Sequence, residues 1–262
     1  MKILNVQQSS EAWLQARAGL CTASMFSVAR SKVGALTEQQ ARYVKSLLSG
    51  KTEKEARSDA GYKSAPRSAS IEKALDLKTT DIGEFSEAAK NYAFKVAVER
   101  ISGEPLDEGF ETWAMKRGRE LEPDARMEHE LQTGLLVEEC GLITDDTGFF
   151  GASADGLIGE DEGAEYKCFI NAEKMRAIIF EQDIGEVMDQ VQGGLWLSGR
   201  QRWRFCLYAP ALEAVGKQLT EIVFERDDAY IKAMEADLEE FRKLVNDYEA
   251  TLRSEMLDRK AA

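Results

Sequence analysis

Apolar side chains recur at three- and four-residue steps along much of the chain, which predicts amphipathic helices. The stretches 9–29 (with a break at Gly19 to Thr22), 86–101 and 112–131 also indicate helices, and 181–197 has this apolar spacing. It is clearest in the last part of the sequence, where the apolar positions are Ile231, Met234, Leu238, Phe241, Val245, Tyr248 and Leu252. We therefore expect a long helix there with one buried face.

Shorter runs with strand-like character occupy the middle of the chain. Residues 135–138, 149–153 and 164–169 are separated by Gly and Asp turns, as in a β-meander. Apolar and polar residues alternate over 202–209, and 220–225 offers a further strand. Helices that flank a few central strands predict an α/β domain.

The stretch 37–78 predicts a small insertion of short helices, interrupted at Gly61 and Pro66. The charge is also uneven there. Between Arg30 and Arg67 there are nine Lys or Arg against four Asp or Glu, although the whole chain carries a net charge of −13. Because phosphate contacts need local positive charge, the positive charge of this segment is more informative about nucleic-acid binding than the negative net charge of the whole chain.

Composition narrows the chemistry that the chain can perform. The four cysteines are scattered and form no C-x-x-C pair, so we expect reduced thiols and no disulfide framework or structural zinc site. The single histidine excludes the usual His-rich catalytic zinc sites. No apolar run reaches the roughly 18 residues of a membrane helix, and the first residues carry no apolar signal region, which predicts a cytoplasmic protein. The chemistry must therefore use carboxylates, lysine or hydroxyl groups.

The most informative stretch is GASADGLIGEDEGAEYKCF, residues 151–169. Glu165 and Lys167 would share one face of a strand, because residues two apart point the same way. A tight hairpin over 155–165 would return Asp155 to Glu165 and create a site for a hard cation such as Mg²⁺. Taken alone, these short motifs favour the plainer interpretation of two surface turn acids and a solvated ion pair.

The order of further elements changes that interpretation, because it resembles the phage lambda exonuclease family. This family, also called the YqaJ-like viral recombinases, is one of the restriction-endonuclease-like nucleases. The similarity runs in register over most of the chain, through the segments SSEAWLQARAGLCTAS (9–24), KRGRELEPDAR (116–126), GASADGLI (151–158), EYKC (165–168), MDQVQGGLWLSG (188–199), Tyr208-Ala209-Pro210 and EIVFERDDAYI (221–231). It implies a restriction-endonuclease-like α/β core with a small mixed central sheet flanked by helices. Residues 1–34 and 81–262 would form this exonuclease core, and 35–80 a helical insertion.

The resemblance implies a two-metal site. Asp155 and Glu165 would bind the metals, with the Tyr166 carbonyl as a further ligand, and Glu122 would complete the carboxylate set around a second ion. Glu120 competes with Glu122 for this role, but the two lie about 200° apart around a helix, so only one can face the site. The implied cofactor is Mg²⁺, two ions per site, for which Mn²⁺ would substitute.

The same resemblance implies roles for several polar side chains. Lys167 would orient the nucleophilic water, and Gln190 would support that water or the scissile phosphate. Arg17 and Ser24 correspond to a pair that holds phosphate near the 5′ end, and Arg30 lies near the position of a further phosphate-binding arginine, which the insertion leaves open. Each has a plainer alternative. Arg17 would then be a solvated helix residue, Ser24 a helix cap and Gln190 an amide at the edge of the core.

These roles predict a two-metal DNA exonuclease, a phosphodiester hydrolase that degrades double-stranded DNA 5′→3′ with magnesium. It would release 5′ mononucleotides and leave a 3′ single strand for phage-type recombination. The expected partners are duplex ends, a single-strand annealing protein and further copies in a ring, with a homotrimer favoured, and no membrane. The expected location is the cytoplasm of a bacterial host, with a phage or prophage gene. The alternatives are a restriction-type endonuclease or single-strand nuclease on the same core, or a non-catalytic DNA-binding or packaging adaptor.

The sequence also departs from the family pattern. Ala154 and Phe169 stand where the family usually has proline, which alters turn geometry but removes no ligand. His129 has no counterpart role, and we expect it to be structural or exposed. The segment 35–80 resembles the helix-turn-helix of phage terminase small subunits, which would place a basic helix against DNA. The alternative is a helical bundle that only packs on the core.

Overall fold

The structure, a computed structural model, describes residues 2–106, 112–169 and 171–261, apart from the side chains of 186 and 255–261. The chain divides into two compact units, of which the smaller is Arg30–Asn91 and the larger contains the residues before and after it. Within the described part of the chain, no helix combines the length and the apolar character that crossing a membrane requires.

The first elements of the larger unit lead into a sharp turn. They are β1 (Lys2–Leu4), α1 (Glu11–Arg17), β2 (Cys21–Thr22) and α2 (Phe26–Ala29). Helix α1 begins after Ser10, whose hydroxyl accepts the Trp13 N–H and so satisfies one free helix donor. Gly19 follows the helix with φ +75°, and a Cβ there would lie 2.7 Å from Arg100 Cγ. This position therefore requires glycine.

The smaller unit consists of three helices and a two-stranded ribbon. Its elements are β3 (Lys32–Val33), α3 (Glu38–Leu48), α4 (Glu53–Ala60), α5 (Ala69–Asp76) and β4 (Glu84–Phe85). Thr37 and Thr52 begin α3 and α4 with capping boxes, and Ser68 caps α5. The unit has a hydrophobic core of its own, formed by Tyr43, Val44, Ala56, Ala60, Ile71, Ala74 and Ile82.

The rest of the chain alternates long helices with short strands. In order these are α6 (Glu87–Ser102), α7 (Trp113–Thr133), β5 (Leu142–Thr144), β6 (Phe150–Ala152), β7 (Gly156–Ile158), β8 (Glu162–Lys167), α8 (Ala172–Arg176), α9 (Met188–Ser198), β9 (Arg202–Tyr208), β10 (Leu219–Glu225) and α10 (Asp228–Ala261). The apolar positions predicted for the last helix lie in α10, and most of them are buried.

The strands of the larger unit form two mixed sheets. One has the order β1-β5-β6-β2 and the other the order β10-β9-β8-β7. Strand β2 runs parallel to β6 and β8 parallel to β9, whereas the remaining neighbours are antiparallel. The predicted α/β class, with mixed sheet and flanking helices, is confirmed, and its strands divide between two sheets.

Strand β8 presents two different faces. On one face Gly163 pairs with Trp203 of β9, and a Cβ at Gly163 would lie 2.3 Å from the indole. Gly194 of α9 approaches the same indole, where a Cβ would lie 2.5 Å away. On the other face Tyr166 packs in a buried cluster with Ala125 of α7. Strand β8 therefore lies between α9 and α7.

Two predicted elements differ in the structure. The stretch 135–138 forms no strand, because only Glu138 makes a bridge to β7, and the segment packs instead through its apolar side chains. The helix predicted over 181–197 begins only at Met188. Gln182 adopts a left-handed conformation with φ +53°, which interrupts helical geometry before that point.

We predict opposite stability effects for one substitution at two helical glycines. Gly118→Ala in α7 meets no atom within 4 Å and should stabilise the protein by about 0.5–1 kcal/mol through helix propensity. Gly194→Ala in α9 collides with Trp203 and should destabilise it by about 1–3 kcal/mol through overpacking. Urea unfolding of both variants measures the difference. Equal effects at the two positions would contradict the packing of the indole.

Candidate active site

A hairpin brings the first two predicted acids together. Strands β7 and β8 pair antiparallel with Gly156 opposite Ala164, and the Asp155 N–H donates to the Ala164 carbonyl at 3.2 Å. The Asp155 Oδ2 accepts the Tyr166 N–H at 2.7 Å. Asp155 therefore lies beside the residue that follows Glu165 in the chain.

Glu165 lies at the centre of the polar contacts. It is buried, and its Oε1 accepts from Lys167 Nζ and from Gln190 Nε2, both at 2.6 Å. Lys167 comes from the same strand two residues on, and Gln190 comes from the first turn of α9. Three of the predicted residues are thus in direct contact.

Helix α7 contributes the remaining acid. Glu122 is half-buried, and its charge interacts with those of Glu165 and Lys167. Glu120 is exposed and lies 3.9 Å from Lys116 on the outer side of the helix. Of the two candidates on α7, Glu122 is therefore the one that the structure places with the other carboxylates.

The carboxylates of this site oppose one another's ionisation. Burial and the charges of Glu165 and Glu122 raise the pKa of Asp155 well above its usual range. Burial and the charge of Glu165 likewise raise the pKa of Glu122. Burial opposes the charge on Lys167, but Glu165 and Asp155 outweigh this effect and raise the pKa of Lys167. Oxygen ligands that repel one another in this way suit a hard divalent cation, which removes the repulsion.

A cavity of about 150 Å³ in the larger unit adjoins Asp155 and Glu165, whereas Glu122 and Lys167 are not among its lining residues. Its lining includes both catalytic candidates and phosphate-binding candidates, namely Gln8, Trp13, Arg17, Thr22, Ala23, Ser24, Ala152, Ser153, Asp155, Glu165, Gln190, Gly194 and Trp203. Arg30, the other predicted phosphate contact, belongs to the unit Arg30–Asn91 and is not among the lining residues. The cavity is therefore continuous from the carboxylates to Arg17.

Arg17 is held in place by an aromatic ring and a hydroxyl. Its guanidinium carbon lies 4.1 Å from the centre of the Trp13 ring, and it donates to Thr22 Oγ1 at 3.3 Å. The Thr22 and Ser24 hydroxyls lie 3.3 Å apart. The Trp13 indole donates to Ser153 Oγ at 3.0 Å, which ties α1 to the segment that precedes Asp155. A solvated helix residue would not have these contacts.

Two residues that line this cavity each carry a buried donor with no hydrogen-bond partner among the described residues. The donors are Arg17 Nε and Trp203 Nε1. A buried donor without a partner costs about 1–3 kcal/mol, so native proteins rarely retain one without a use. Burial also lowers the pKa of Arg17, an effect that the acidic groups of Tyr92 and Glu99 oppose. These groups are suited to an acceptor-rich anion such as a phosphate.

The sequence did not single out several residues that shape this site. Glu99 is buried and accepts the Gly19 N–H at 2.9 Å and the Leu106 N–H at 3.0 Å, which fixes the turn after Arg17. Trp203 lies in the alternating stretch 202–209, which predicts only a strand residue there. The residues that contact Glu99 and Trp203 lie on other parts of the fold, and no local sequence pattern predicts such contacts.

Among the described residues, one group of three side chains that could ligate a metal lies close together, and it does not include the carboxylates of the candidate active site. Ligand atoms of His129, Cys206 and Glu221 lie within 4.8 Å of one another. Both His129 nitrogens already lie within hydrogen-bond distance of protein groups, and Arg204 donates to Glu221 at 2.7 Å. Burial also raises the pKa of the Cys206 thiol. Protein hydrogen bonds therefore already use this cluster's histidine and carboxylate.

We predict that Asp155→Asn stabilises the metal-free protein near neutral pH. The pKa of Asp155 is higher in the native state than in the unfolded chain, so the native protein binds a proton at Asp155 more tightly than the unfolded chain does. This contribution is favourable at low pH and is lost as pH rises through the native pKa. The advantage of Asp155→Asn in unfolding free energy should therefore shrink from about pH 8 towards about pH 4.

The matched control is Asp145→Asn. Burial would raise the pKa of Asp145, but hydrogen bonds from Thr147 and from the backbone of Phe149 and Phe150 outweigh it and lower that pKa. This variant should lose stability near neutral pH. Urea titrations in a chelator at several pH values measure both. A loss of stability in Asp155→Asn at every pH would refute the proposed repulsion.

Comparisons with known proteins identify the family and the fold. The model of the YqaJ-like viral recombinase domain matches residues 12–201. The structure resembles that of an alkaline exonuclease (LHK-Exo) from Laribacter hongkongensis at 25% identity, with a TM-score of 0.68 over 95% of this chain and 99% of that chain. The structure of LHK-Exo in complex with dAMP gives a TM-score of 0.66 at the same identity and coverage. A search of curated protein sequences found no match. Because the domain model spans most of the chain, this protein belongs to the YqaJ-like viral recombinase family.

Proposed function

We propose that this protein is a Mg²⁺-dependent, two-metal exonuclease that degrades double-stranded DNA 5′→3′. Family and fold support a DNA exonuclease. The finer assignment rests mainly on one observation, the cavity that joins Asp155 and Glu165 to the partly buried guanidinium of Arg17. It would hold a terminal phosphate beside the carboxylates that carry out hydrolysis.

The donor set fits two hard cations. Asp155, Glu165 and the Tyr166 carbonyl would hold Mg²⁺, with Glu122 completing the set for the second ion, and Mn²⁺ would substitute. When bound, the ions would stabilise negative charge on the scissile phosphate and lower the pKa of a bound water. The mutual repulsion of Asp155, Glu165 and Glu122 supports this fit, because a cation removes it.

The chain's own residues would orient the reacting groups. Lys167 would hold the attacking water, and Gln190 would support that water or the scissile phosphate. Water attacks phosphorus, the bond to the 3′ oxygen breaks, and that oxygen takes up a proton. A 5′ mononucleotide leaves, and the shortened strand carries a new 5′ phosphate. Each cycle would therefore regenerate an end that Arg17 and Ser24 can bind.

Recognition of an end distinguishes this proposal from its alternatives. An endonuclease or a single-strand nuclease on the same core needs no pocket for a terminal phosphate. A cavity of about 150 Å³ whose lining residues Arg17 and Trp203 carry buried donors without a partner among the described residues favours such a pocket. A non-catalytic adaptor would not need the contacts of Lys167 and Gln190 with Glu165.

We further propose that the protein forms a closed homo-oligomeric ring, with a trimer favoured. It would act in the cytoplasm of a bacterial host and be encoded by a phage or prophage gene. A ring would keep the enzyme on its duplex by topology, and cyclic symmetry is the usual closed arrangement. The 3′ strand left behind would pass to a single-strand annealing protein. An acidic exterior around a locally basic channel would reconcile the net charge of −13 with DNA binding.

The segment 35–80 is proposed to contact duplex DNA. In the described part of that unit, Lys51 pairs with Asp59 at 2.8 Å and Arg57 lies 3.8 Å from Glu53, which reduces what either can offer to phosphate. Exposed lysines with no acidic partner within 4 Å among the described residues include Lys54 and Lys63. These lysines would supply phosphate contacts.

We predict that Asp155→Ala, Glu165→Ala and Lys167→Ala each lower cleavage by at least about 10³-fold while the fold persists. The assay follows linear duplexes labelled at either end, with and without Mg²⁺. The control is Glu120→Ala, which should cleave like the wild type. Ca²⁺ should permit binding without efficient cutting, because its looser coordination misplaces the water. Near-normal turnover in one of the three variants would remove its assigned role, and internal cuts would support an endonuclease.

A second prediction concerns the 5′ phosphate. Arg17→Gln should weaken binding of 5′-phosphorylated ends by about 10–100-fold, the value of a charge-assisted hydrogen bond, and leave 5′-hydroxyl ends unaffected. Binding is measured in Ca²⁺ with both kinds of end. Arg253→Gln, at an exposed arginine of α10, is the control and should change neither. Equal loss for both kinds of end would place Arg17 on the general DNA path.

A third prediction tests the smaller unit. The double variant Lys54→Gln/Lys63→Gln should lower the salt slope of DNA binding by about two units and leave the saturated cutting rate unchanged. The double variant Lys51→Gln/Arg57→Gln should have a smaller effect, because acidic neighbours already offset those charges. An unchanged slope in the first variant would make the unit structural or a site for another protein.

A further inference from the structure

The single histidine of the chain connects three elements of the larger unit. His129 lies in α7 and is fully buried. Its Nδ1 lies 2.8 Å from the Tyr166 hydroxyl of β8, and its Nε2 lies 2.9 Å from Glu221 Oε1 of β10. Because a carboxylate only accepts, Nε2 carries a proton and donates to Glu221, and in the neutral ring Nδ1 accepts from Tyr166. One imidazole thus binds a helix to two strands.

The position of His129 along α7 relates it to the active site. Glu122 precedes it by seven residues, which is two helical turns, so both side chains point to the same side of the helix. Ala125 lies between them on that side, is fully buried and packs with Ala164 and Tyr166 of β8. The contact face of α7 thus carries a carboxylate at one end and the imidazole at the other.

Tyr166 connects this contact to the other carboxylates. Its N–H donates to Asp155 Oδ2 at 2.7 Å, and it stands between Glu165 and Lys167 in the strand. Its hydroxyl meets His129 on the opposite side of the strand. A shift of α7 along β8 would therefore break the contact between His129 and Tyr166 and change the distance of Glu122 from Asp155.

The network continues across the sheet and leaves little freedom. Arg204 of β9 donates to Glu221 at 2.7 Å and also bonds to Glu162 of β8, and Arg202 lies 2.9 Å from the other oxygen of Glu162. His129 is fully buried and Arg204, Glu162 and Glu221 are at least partly buried, so a displaced neighbour would leave polar groups there without partners.

A metal ion is a poorer explanation of this cluster. His129, Cys206 and Glu221 are close enough to ligate one, but the positive guanidinium of Arg204 lies against Glu221 and opposes a second cation. A thiol whose pKa is raised by burial is also a reluctant ligand. Protein hydrogen bonds account for the arrangement.

We propose that His129 is a positioning residue that fixes the register of α7 on β8 and thereby the distance of Glu122 from Asp155 and Glu165. The inference rests on the proposed function, in which Glu122 completes the ligands of a second metal ion. Its effect is on metal binding and not on the chemical step itself.

The test measures Mn²⁺ binding by calorimetry in the absence of DNA, together with cleavage at varied Mg²⁺. Tyr166→Phe removes one hydroxyl and keeps the backbone carbonyl and N–H, and His129→Gln is the second variant. Each variant should weaken the binding of one of the two Mn²⁺ ions by about 10-fold, the usual effect of losing a group that orients a ligand. Half-saturating Mg²⁺ should rise by about the same factor, with kcat restored at saturation.

Two controls separate positioning from general stability. Tyr92→Phe removes another buried hydroxyl, which accepts the Thr22 N–H, and should lower the unfolding midpoint without changing Mn²⁺ affinity. Glu122→Gln should weaken the binding of the same Mn²⁺ ion that Tyr166→Phe affects. The double variant should then be no weaker than Glu122→Gln alone, because the hydroxyl acts through Glu122.

The outcomes are distinguishable. If Glu122→Gln binds both ions normally, the proposed metal role of Glu122 fails, and the positioning role fails with it. If Glu122→Gln loses an ion but Tyr166→Phe and His129→Gln bind both normally, only the positioning role is overturned. Stoichiometric zinc in the purified protein that disappears in His129→Gln would also overturn it and make the cluster a metal site.

Discussion

The repulsion between three acids in a poorly solvated site is the constraint around which the larger unit is organised. Asp155, Glu165 and Glu122 come from a loop, a strand and a helix, and they would separate if those elements were free to move. Packing of α7 and α9 on opposite faces of β8 prevents this. Lys167 supplies one positive charge in partial compensation. The core thus holds together charges that a bound cation would stabilise. The same residues that would bind the cation therefore lower the stability of the metal-free protein.

Local rules of sequence predicted much of this arrangement. A Gly turn after Asp155 and the two-residue period of a strand placed Asp155 near Glu165 and put Lys167 on the same face as Glu165. Helical geometry separated Glu120 from Glu122, and the structure places Glu122 with the other acids. These features could be predicted because each depends on residues within about one turn of a helix or one hairpin.

Contacts between distant elements were beyond local rules. The parallel pairing of β8 with β9 puts Trp203 beside Gly163, and no periodicity encodes which strands will be neighbours. His129 was expected to be structural or exposed. It is fully buried, and its partner Glu221 lies 92 residues away. The start of the helix at Met188 was also misjudged, because apolar spacing continues through a segment whose backbone turns left-handed.

The parallel pairing of β8 and β9 has a consequence for how the site assembles. Parallel neighbours cannot be joined by a hairpin, so the chain must leave one end of β8 and travel back along the sheet before β9 begins. Helix α9 is the last part of that return path, and it carries Gln190 to Glu165. The amide therefore arrives as part of the covalent route between two strands. Closure of this loop and completion of the polar cluster therefore depend on the same helix, and both must wait for a contact between distant parts of the chain.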